Sequence, residues 1–128
     1  MGRSEARQKF ALILDHWQVR GFGFWAVDEL VTGRYCGRVG LWYPDDWPEP
    51  EIGWALIGEA EGRGIAFEAA RRCRIYAYQT LGWSKAISLI DPANERSIAL
   101  AKRMGAMPEY EYDHPTLGKM MAWRHPGP

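Results

Sequence analysis

The sequence predicts an α/β fold, a mixed and mostly antiparallel sheet with a parallel strand pair at its centre and helices on its flanks. Three observations carry this reading. Glu51-Ile-Gly-Trp-Ala-Leu56 reads as a buried strand that leads into a glycine-rich turn. A helical pattern follows from Arg63 to about Thr80, with Ile65, Ala69, Cys73, Tyr76, Ala77 and Leu81 on one face. Gly82 ends that helix, and Ala86-Ile-Ser-Leu-Ile90 is a short apolar run suited to a strand buried on both faces. Strand, crossover helix and strand make a parallel, right-handed unit.

The remaining elements follow in order. Phe10, Ile13, Leu14 and Trp17 repeat at i, i+3, i+4 and i+7, which predicts an amphipathic helix over roughly Ser4 to Val19. Gly21 to Val27 and Tyr35 to Trp42 read as strands joined at Thr32-Gly33. A second helix is predicted after Asp91, and a second hairpin pairs Tyr110 to Asp113 with Lys119 to Arg124 around Thr116-Leu-Gly118. The predicted order is helix, three strands, helix, strand, helix, two strands.

With 128 residues and 47% hydrophobic composition, the chain can bury one core, so residues 1–128 are expected to form a single domain. Sixteen Lys and Arg balance sixteen Asp and Glu, which leaves no electrostatic footprint for nucleic acid. No apolar run approaches the ~18 residues that span a bilayer, and Met1-Gly-Arg-Ser-Glu lacks a signal peptide's apolar stretch. The expectation is a cytoplasmic protein with no membrane partner. Cys36 and Cys73 read as reduced core thiols, and His16, His114 and His125 show no ligand spacing, so no metal is expected.

The turn before the long helix makes an anion site. A helix start offers backbone N–H groups without intrahelical partners and the positive end of the dipole, and Gly62 and Gly64 allow a phosphate to approach closely. The bound group is therefore expected to be a phosphorylated cofactor. A dinucleotide fingerprint would need a third glycine where Ala66-Phe67 stands, and a P-loop would need Gly-Lys-Ser or Gly-Lys-Thr, which the chain lacks. Ligands of open parallel sheets lie beyond the carboxyl ends of the strands, where Gly58 to Ala66 and Asp91 to Asn94 converge. Asn94 sits where a helix N-cap is expected, with Ser97 three residues on.

Glu61-Gly-Arg-Gly64-Ile-Ala66 resembles the cofactor signature Gln/Arg-x-x-Gly-x-Gly/Ala of the GNAT acetyltransferase superfamily. Pro50 to Leu56 looks like the strand before that signature, and Asp91 to Ala106 like the Asn-containing helix after it, in the branch similar to ribosomal-protein N-terminal acetyltransferases. The resemblance covers roughly Gly21 to His125 and implies that acetyl-CoA lies between two splayed parallel strands. By that resemblance the pantetheine arm meets backbone groups of Ala55, Leu56 and Ile57. The pyrophosphate meets amides of Gly62, Arg63, Gly64, Ile65 and Ala66, and Asn94 and Ser97 face the pantetheine.

Several residues depart from the family pattern. Glu61 replaces the usual Gln or Arg; it either sets a carboxylate beside the pyrophosphate or turns to solvent as a first-turn acid. Phe67 stands where this branch often has Thr, and Ala101 where many members carry a Tyr acid. Glu51, which heads the strand and matches an acidic position of relatives, is the candidate base; the plain alternative is a solvated strand-end carboxylate. Ser97 is the candidate donor to the departing thiolate, or a structural residue of the first turn.

Set beside the family, the opening strand and the helix after it are missing, roughly 40 residues. An exposed edge at Gly21 to Val27 is then expected to pair in a homodimer, unless the Met1 to Arg20 helix shields it in a monomer. Trp42, Trp47 and Trp54 bracket a loop with Asp45, Asp46 and Glu49, which suits either a cationic amine or plain packing, as expected of Trp25 and Trp83. The resemblance thus implies an N-acetyltransferase acting on a primary amine, a protein N-terminus or a small molecule. The other reading is a catalytically weak acyl-CoA-binding or assembly module with the same fold.

Overall fold

The computed structural model describes the backbone of residues 3–58 and 64–128 and the side chains of residues 7–58 and 64–128. The elements are α1 (Arg3–Arg20), β1 (Phe24–Asp28), β2 (Tyr35–Trp42), β3 (Glu51–Leu56), α2 (Ile65–Gln79), β4 (Ile87–Ile90), α3 (Glu95–Arg103), β5 (Met107–His114) and β6 (Gly118–Arg124). They form a six-stranded sheet in the order β1-β2-β3-β4-β6-β5. Every neighbouring pair is antiparallel except β3 and β4, so the predicted mixed sheet with a central parallel pair is present.

The first hairpin turns at Gly33, whose φ of +72° is open to glycine at little cost, and Glu29 N–H donates to Arg34 O at 2.8 Å to close it. β3 then pairs with β2 over its whole length, from Leu56 opposite Gly37 to Glu51 opposite Trp42. Gly40 and Gly53 face each other in that register, and the Phe24 ring lies over them: a Cβ at Gly53 would be 3.0 Å from Phe24 Cζ. Two small residues thus make room for one large ring.

α2 and α3 cover one face of the sheet. Ala70, Cys73 and Ala77 of α2 and Leu100 and Met104 near α3 pack with Val39, Leu41 and Ile52 into the main core. The opposite face carries Ile87, Leu89 and Ala122 beneath Trp47, Tyr110 and Tyr112. The buried stripe of α2 corrects the predicted one: Ala70 lies at its centre, while Tyr76 stands at the rim. Arg74 is half-buried beside this stripe and donates to Met104 O at 2.6 Å. Cys36 and Cys73 are free and buried, and burial raises the Cys73 thiol to about 11. Trp25 and Trp83 pack on the main core.

α1 corrects a second expectation. Its predicted apolar face does not dock along its length, since Phe10 is 63% and Leu14 49% exposed. What holds it is its C-terminal end. Tyr43 N–H donates to His16 Nε2 at 2.8 Å, so Nδ1 carries the hydrogen and donates to Phe22 O at 2.9 Å. Trp17 Nε1 donates to Phe24 O at 3.0 Å, on the outer edge of β1. Burial lowers the His16 pKa and favours the neutral ring that this bonding needs.

A Cβ at Gly40 would lie 2.4 Å from Gly23 O and 2.6 Å from Phe24 Cα, both backbone atoms that cannot swing aside. Gly40→Ala is therefore expected to lower unfolding free energy by roughly 1–3 kcal/mol. Gly58→Ala, with nothing within 4 Å, should stay within about 0.5 kcal/mol of the parent. Urea unfolding of the two variants checks both values.

Candidate functional site

β3 and β4 share a single register pair, Glu51 opposite Ile87, with Ile87 N–H donating to Pro50 O at 3.1 Å. Beyond it the strands part, and β4 continues with β6 alone. A cleft of about 600 Å³ opens there, walled by the end of β3 and the starts of α2 and α3. Ile57 N–H is spent on Cys36 O at 2.9 Å, toward β2. The alternation of a strand then turns the backbone groups of Trp54 and Leu56 away from β2 and into the gap, and those of Ala55 toward β2.

Of the residues expected at the cofactor, Ala55, Leu56, Gly64, Ile65, Ala66, Asn94 and Ser97 line this one cleft. Ile57 does not line it, and Glu61, Gly62 and Arg63 lie outside the described residues. Gly64 precedes α2 with φ +77°, and no side chain caps the helix. The first-turn amides of Ile65, Ala66 and Phe67 have no partner within the helix, so they and the dipole of a 15-residue helix favour an anion.

At α3 the cap and the cleft coincide. Asn94 Oδ1 accepts from Ser97 N–H at 3.1 Å, and its amide nitrogen retains hydrogens to donate. Ser97 Oγ accepts from Trp54 Nε1 at 3.1 Å, which leaves the hydroxyl hydrogen free to point elsewhere. Ala101 is fully buried in the core rather than in the cleft.

Trp54, Arg96 and Arg103 are among the lining residues that had no such role in the sequence reading. The two arginines are seven residues apart, hence two turns along the same side of α3, and that spacing from the Asn94 cap is the signal that marks them. Arg103 stacks over the Phe67 ring at 4.6 Å, so Phe67 serves as a wall beneath a cation where a hydroxyl was missed.

Glu51 occupies an unexpected setting. Ile52 packs into the α2 side of the sheet, so Glu51 projects to the other face. Its carboxyl is buried: Oε1 accepts from Trp47 Nε1 at 2.9 Å and Oε2 from Leu89 N–H at 2.5 Å. Burial pushes its pKa up to about 8, against the opposing pull of those two donors. The carboxyl is therefore not a solvated strand end.

Of the two readings of the loop between β2 and β3, recognition of a cationic amine or plain packing, the contacts favour packing. Glu49 is held by Arg124 at 2.7 and 2.8 Å and by Tyr110 Oη at 2.6 Å, and Arg124 above all lowers its pKa to about 2. Asp46 accepts from His114 at 2.9 Å, and Asp45 pairs with Arg20 at 3.1 Å on the surface. Trp47 packs edge-on to His114 and Trp42. The carboxylates are engaged by the protein's own side chains, and the rings hold the loop down. Among the described residues, no three of His, Cys, Asp and Glu gather as a metal site requires, and no helix is long and apolar enough to cross a membrane.

Residues 2–107 match the acetyltransferase (GNAT) domain, and the chain belongs to that family. It is similar to YkkB of Bacillus subtilis (strain 168), 33% identical over 88 residues that cover 66% of this chain and 51% of YkkB. The chain spans about half the length of the curated relatives it matches. An acetyltransferase from Agrobacterium tumefaciens str. C58 superposes with a TM-score of 0.85 at 29% identity, over 98% of this chain and 73% of that one. The ribosomal-protein-S5-alanine acetyltransferase of Vibrio fischeri, at 15% identity and a TM-score of 0.75, covers 94% of this chain and 69% of its own and shares the fold.

The setting of Glu51 has a consequence for stability. Its pKa of about 8 lies above the ordinary 4.5, so between those values the folded chain keeps a proton that the unfolded chain has released. Stability is then lost as pH rises through that window, by about 1.4 kcal/mol per unit. Measured against Glu51→Gln, the wild-type protein should lose about 2 kcal/mol or more between pH 5.5 and 7.5 in urea unfolding. His16 and His125 are common to both proteins, so their titration cancels.

Proposed function

We propose that this protein transfers an acetyl group from acetyl-CoA to a primary amine, on a protein N-terminus or a small molecule. The observation that carries the reading is the cleft itself. The unpaired edge of β3 at Trp54 and Leu56, the α2 amides and the Arg96 and Arg103 cations converge on it. These residues fit the cofactor: amides and arginines for the phosphates, a strand edge for the amide-bearing arm. When bound, acetyl-CoA supplies the acetyl group as a thioester.

The protein's part is positional and electrostatic. Trp54 N–H, on the gap side of β3 and three residues from Glu51, is the donor for the thioester oxygen. Glu51, on the opposite face of the sheet, takes the proton released by the attacking amine, directly or through a water. Ser97, fixed by Trp54, directs its hydroxyl hydrogen to the departing sulfur. An amine therefore approaches from the Glu51 face, away from α2 and α3. The second reading, an acyl-CoA-binding module without turnover, is favoured by the engagement of both Glu51 oxygens and by the burial of Ala101.

A homodimer is supported by exposed Phe10 and Leu14 on α1; a monomer is supported by the Trp17 bond that occupies the β1 edge at Phe24. The mass in solution, by sedimentation, decides between them.

Isothermal titration with acetyl-CoA, followed by thiol release with a panel of amines, tests the reading. Micromolar binding is expected, with release accelerated by at least one weakly basic amine and kcat/KM rising with pH through about 8. Glu51→Gln should lose that rise. Binding without release by any amine favours the second reading, and no binding by the folded protein overturns both. Arg103→Glu should weaken acetyl-CoA binding at least tenfold by placing a carboxylate over Phe67 at the cleft.

A further inference from the structure

The opening between β3 and β4 is not left to chance contacts. In a regular parallel ladder the bond from Ile87 N–H to Pro50 O would be followed, two residues on, by one from Leu89 N–H to Ile52 O. Both of those backbone groups are taken by side chains. Leu89 N–H goes to Glu51 Oε2, and Ile52 O accepts from Ser88 Oγ at 2.6 Å.

Ser88 is itself held from behind. Its Oγ lies 2.7 Å from His125 Nε2, and His125 Nδ1 lies 3.2 Å from Arg74 Nη1, which also donates to Met104 O at 2.6 Å. A guanidinium only donates, so Nδ1 accepts, Nε2–H donates to Ser88 Oγ, and the hydroxyl hydrogen goes on to Ile52 O. The chain of donors runs one way, from Arg74 on α2 to the carbonyl on β3. Ser88 is 1% and His125 2% exposed, and His125 N–H donates to Ala86 O at 3.0 Å, which fixes the ring beside β4. Burial, with Arg74 and Arg124 nearby, holds the His125 pKa down to about 3, so the proton order persists across the working range of pH.

We propose that Ser88, oriented by His125 and Arg74, is a positioning residue: its hydroxyl fills the rung that would close β3 onto β4, and so keeps the cleft open to the pantetheine arm. This rests on the reading of the cleft as an acetyl-CoA site. The role is to set a spacing, and it touches neither acyl group nor amine. The adenosine phosphates, expected at the α2 amides and the α3 arginines, lie outside its influence.

The test joins a structural and a binding readout. Hydrogen-bond scalar coupling between Leu89 N and the Ile52 carbonyl carbon, measured by NMR, should be absent in the wild-type protein and present in Ser88→Ala, where the freed, buried Ile52 O draws Leu89 N–H away from Glu51 Oε2. Affinity for acetyl-CoA should fall at least tenfold in Ser88→Ala, while affinity for adenosine 3′,5′-bisphosphate, which lacks the pantetheine arm, stays unchanged. The proposal is overturned by coupling already present in the wild type, by undiminished acetyl-CoA affinity in folded Ser88→Ala, or by equal loss of both ligands. Should Ser88→Ala not fold, the wild-type coupling alone decides. Should the wild type bind no acetyl-CoA, the functional reading falls, and the coupling still judges the rung.

Discussion

One backbone rung of hydrogen bonds joins the two halves of this sheet, and what the protein presents to a ligand depends on its being only one. The β1-β2-β3 and β4-β6-β5 halves meet at Glu51 opposite Ile87 and nowhere further along. A sheet continued across that seam would satisfy its own backbone groups and leave no strand edge to offer. Parted, it exposes the amides and carbonyls of Trp54 and Leu56 in a wall that a ligand with an extended, amide-bearing arm can complete. The right-handed crossover through α2 brings the start of that helix to the same end of the strands, so edge and anion site face one volume.

The polar groups that the interior retains are concentrated at this seam, and their partners are specific. A buried hydroxyl, imidazole or carboxyl is costly when unpaired, by roughly 1–3 kcal/mol for a neutral group. Ser88, His125 and Glu51 each have directed partners there, drawn from β3, β4, α2 and the loop before β3. Trp47 links the loop to this arrangement, and Glu49 with Arg124 and Asp46 with His114 fasten the loop to the β5–β6 hairpin. The candidate base is thus held by a surface loop on one side and the central strand on the other.

The elements that carry the cleft were legible where their signals are local. The glycine before α2, the apolar run of β4, and the Asn94 cap with Ser97 three residues later all act over a few residues, and each stands where its chemistry requires. What was not legible acts over distance. A strand-end glutamate reads as solvated until β4 brings Leu89 N–H to it across 38 positions. The carboxylates of the loop read as free until Arg124, 75 positions on from Glu49, and His114, 68 from Asp46, fold back on them. The stripe of α2 was misjudged for another reason. Positions 69 and 70 are both alanine, and only contact with Val39, Leu41 and Ile52 selects between them.

α1 illustrates a different economy. Its spacing of apolar residues reads as a docked face, yet among its described side chains the ties fall in the last turns, in the two bonds of His16, the one of Trp17 and the pairing of Arg20 with Asp45. Helices in water gain little from propensity alone, so the turns around Phe10 borrow their order from the anchored end. Opening of this helix is accordingly expected to begin at its free turns and stop at His16, leaving the sheet intact. Amide exchange along α1 would then record a gradient of protection, steepest where the imidazole bridges Phe22 and Tyr43, and α1 would act as a unit of its own in partial unfolding.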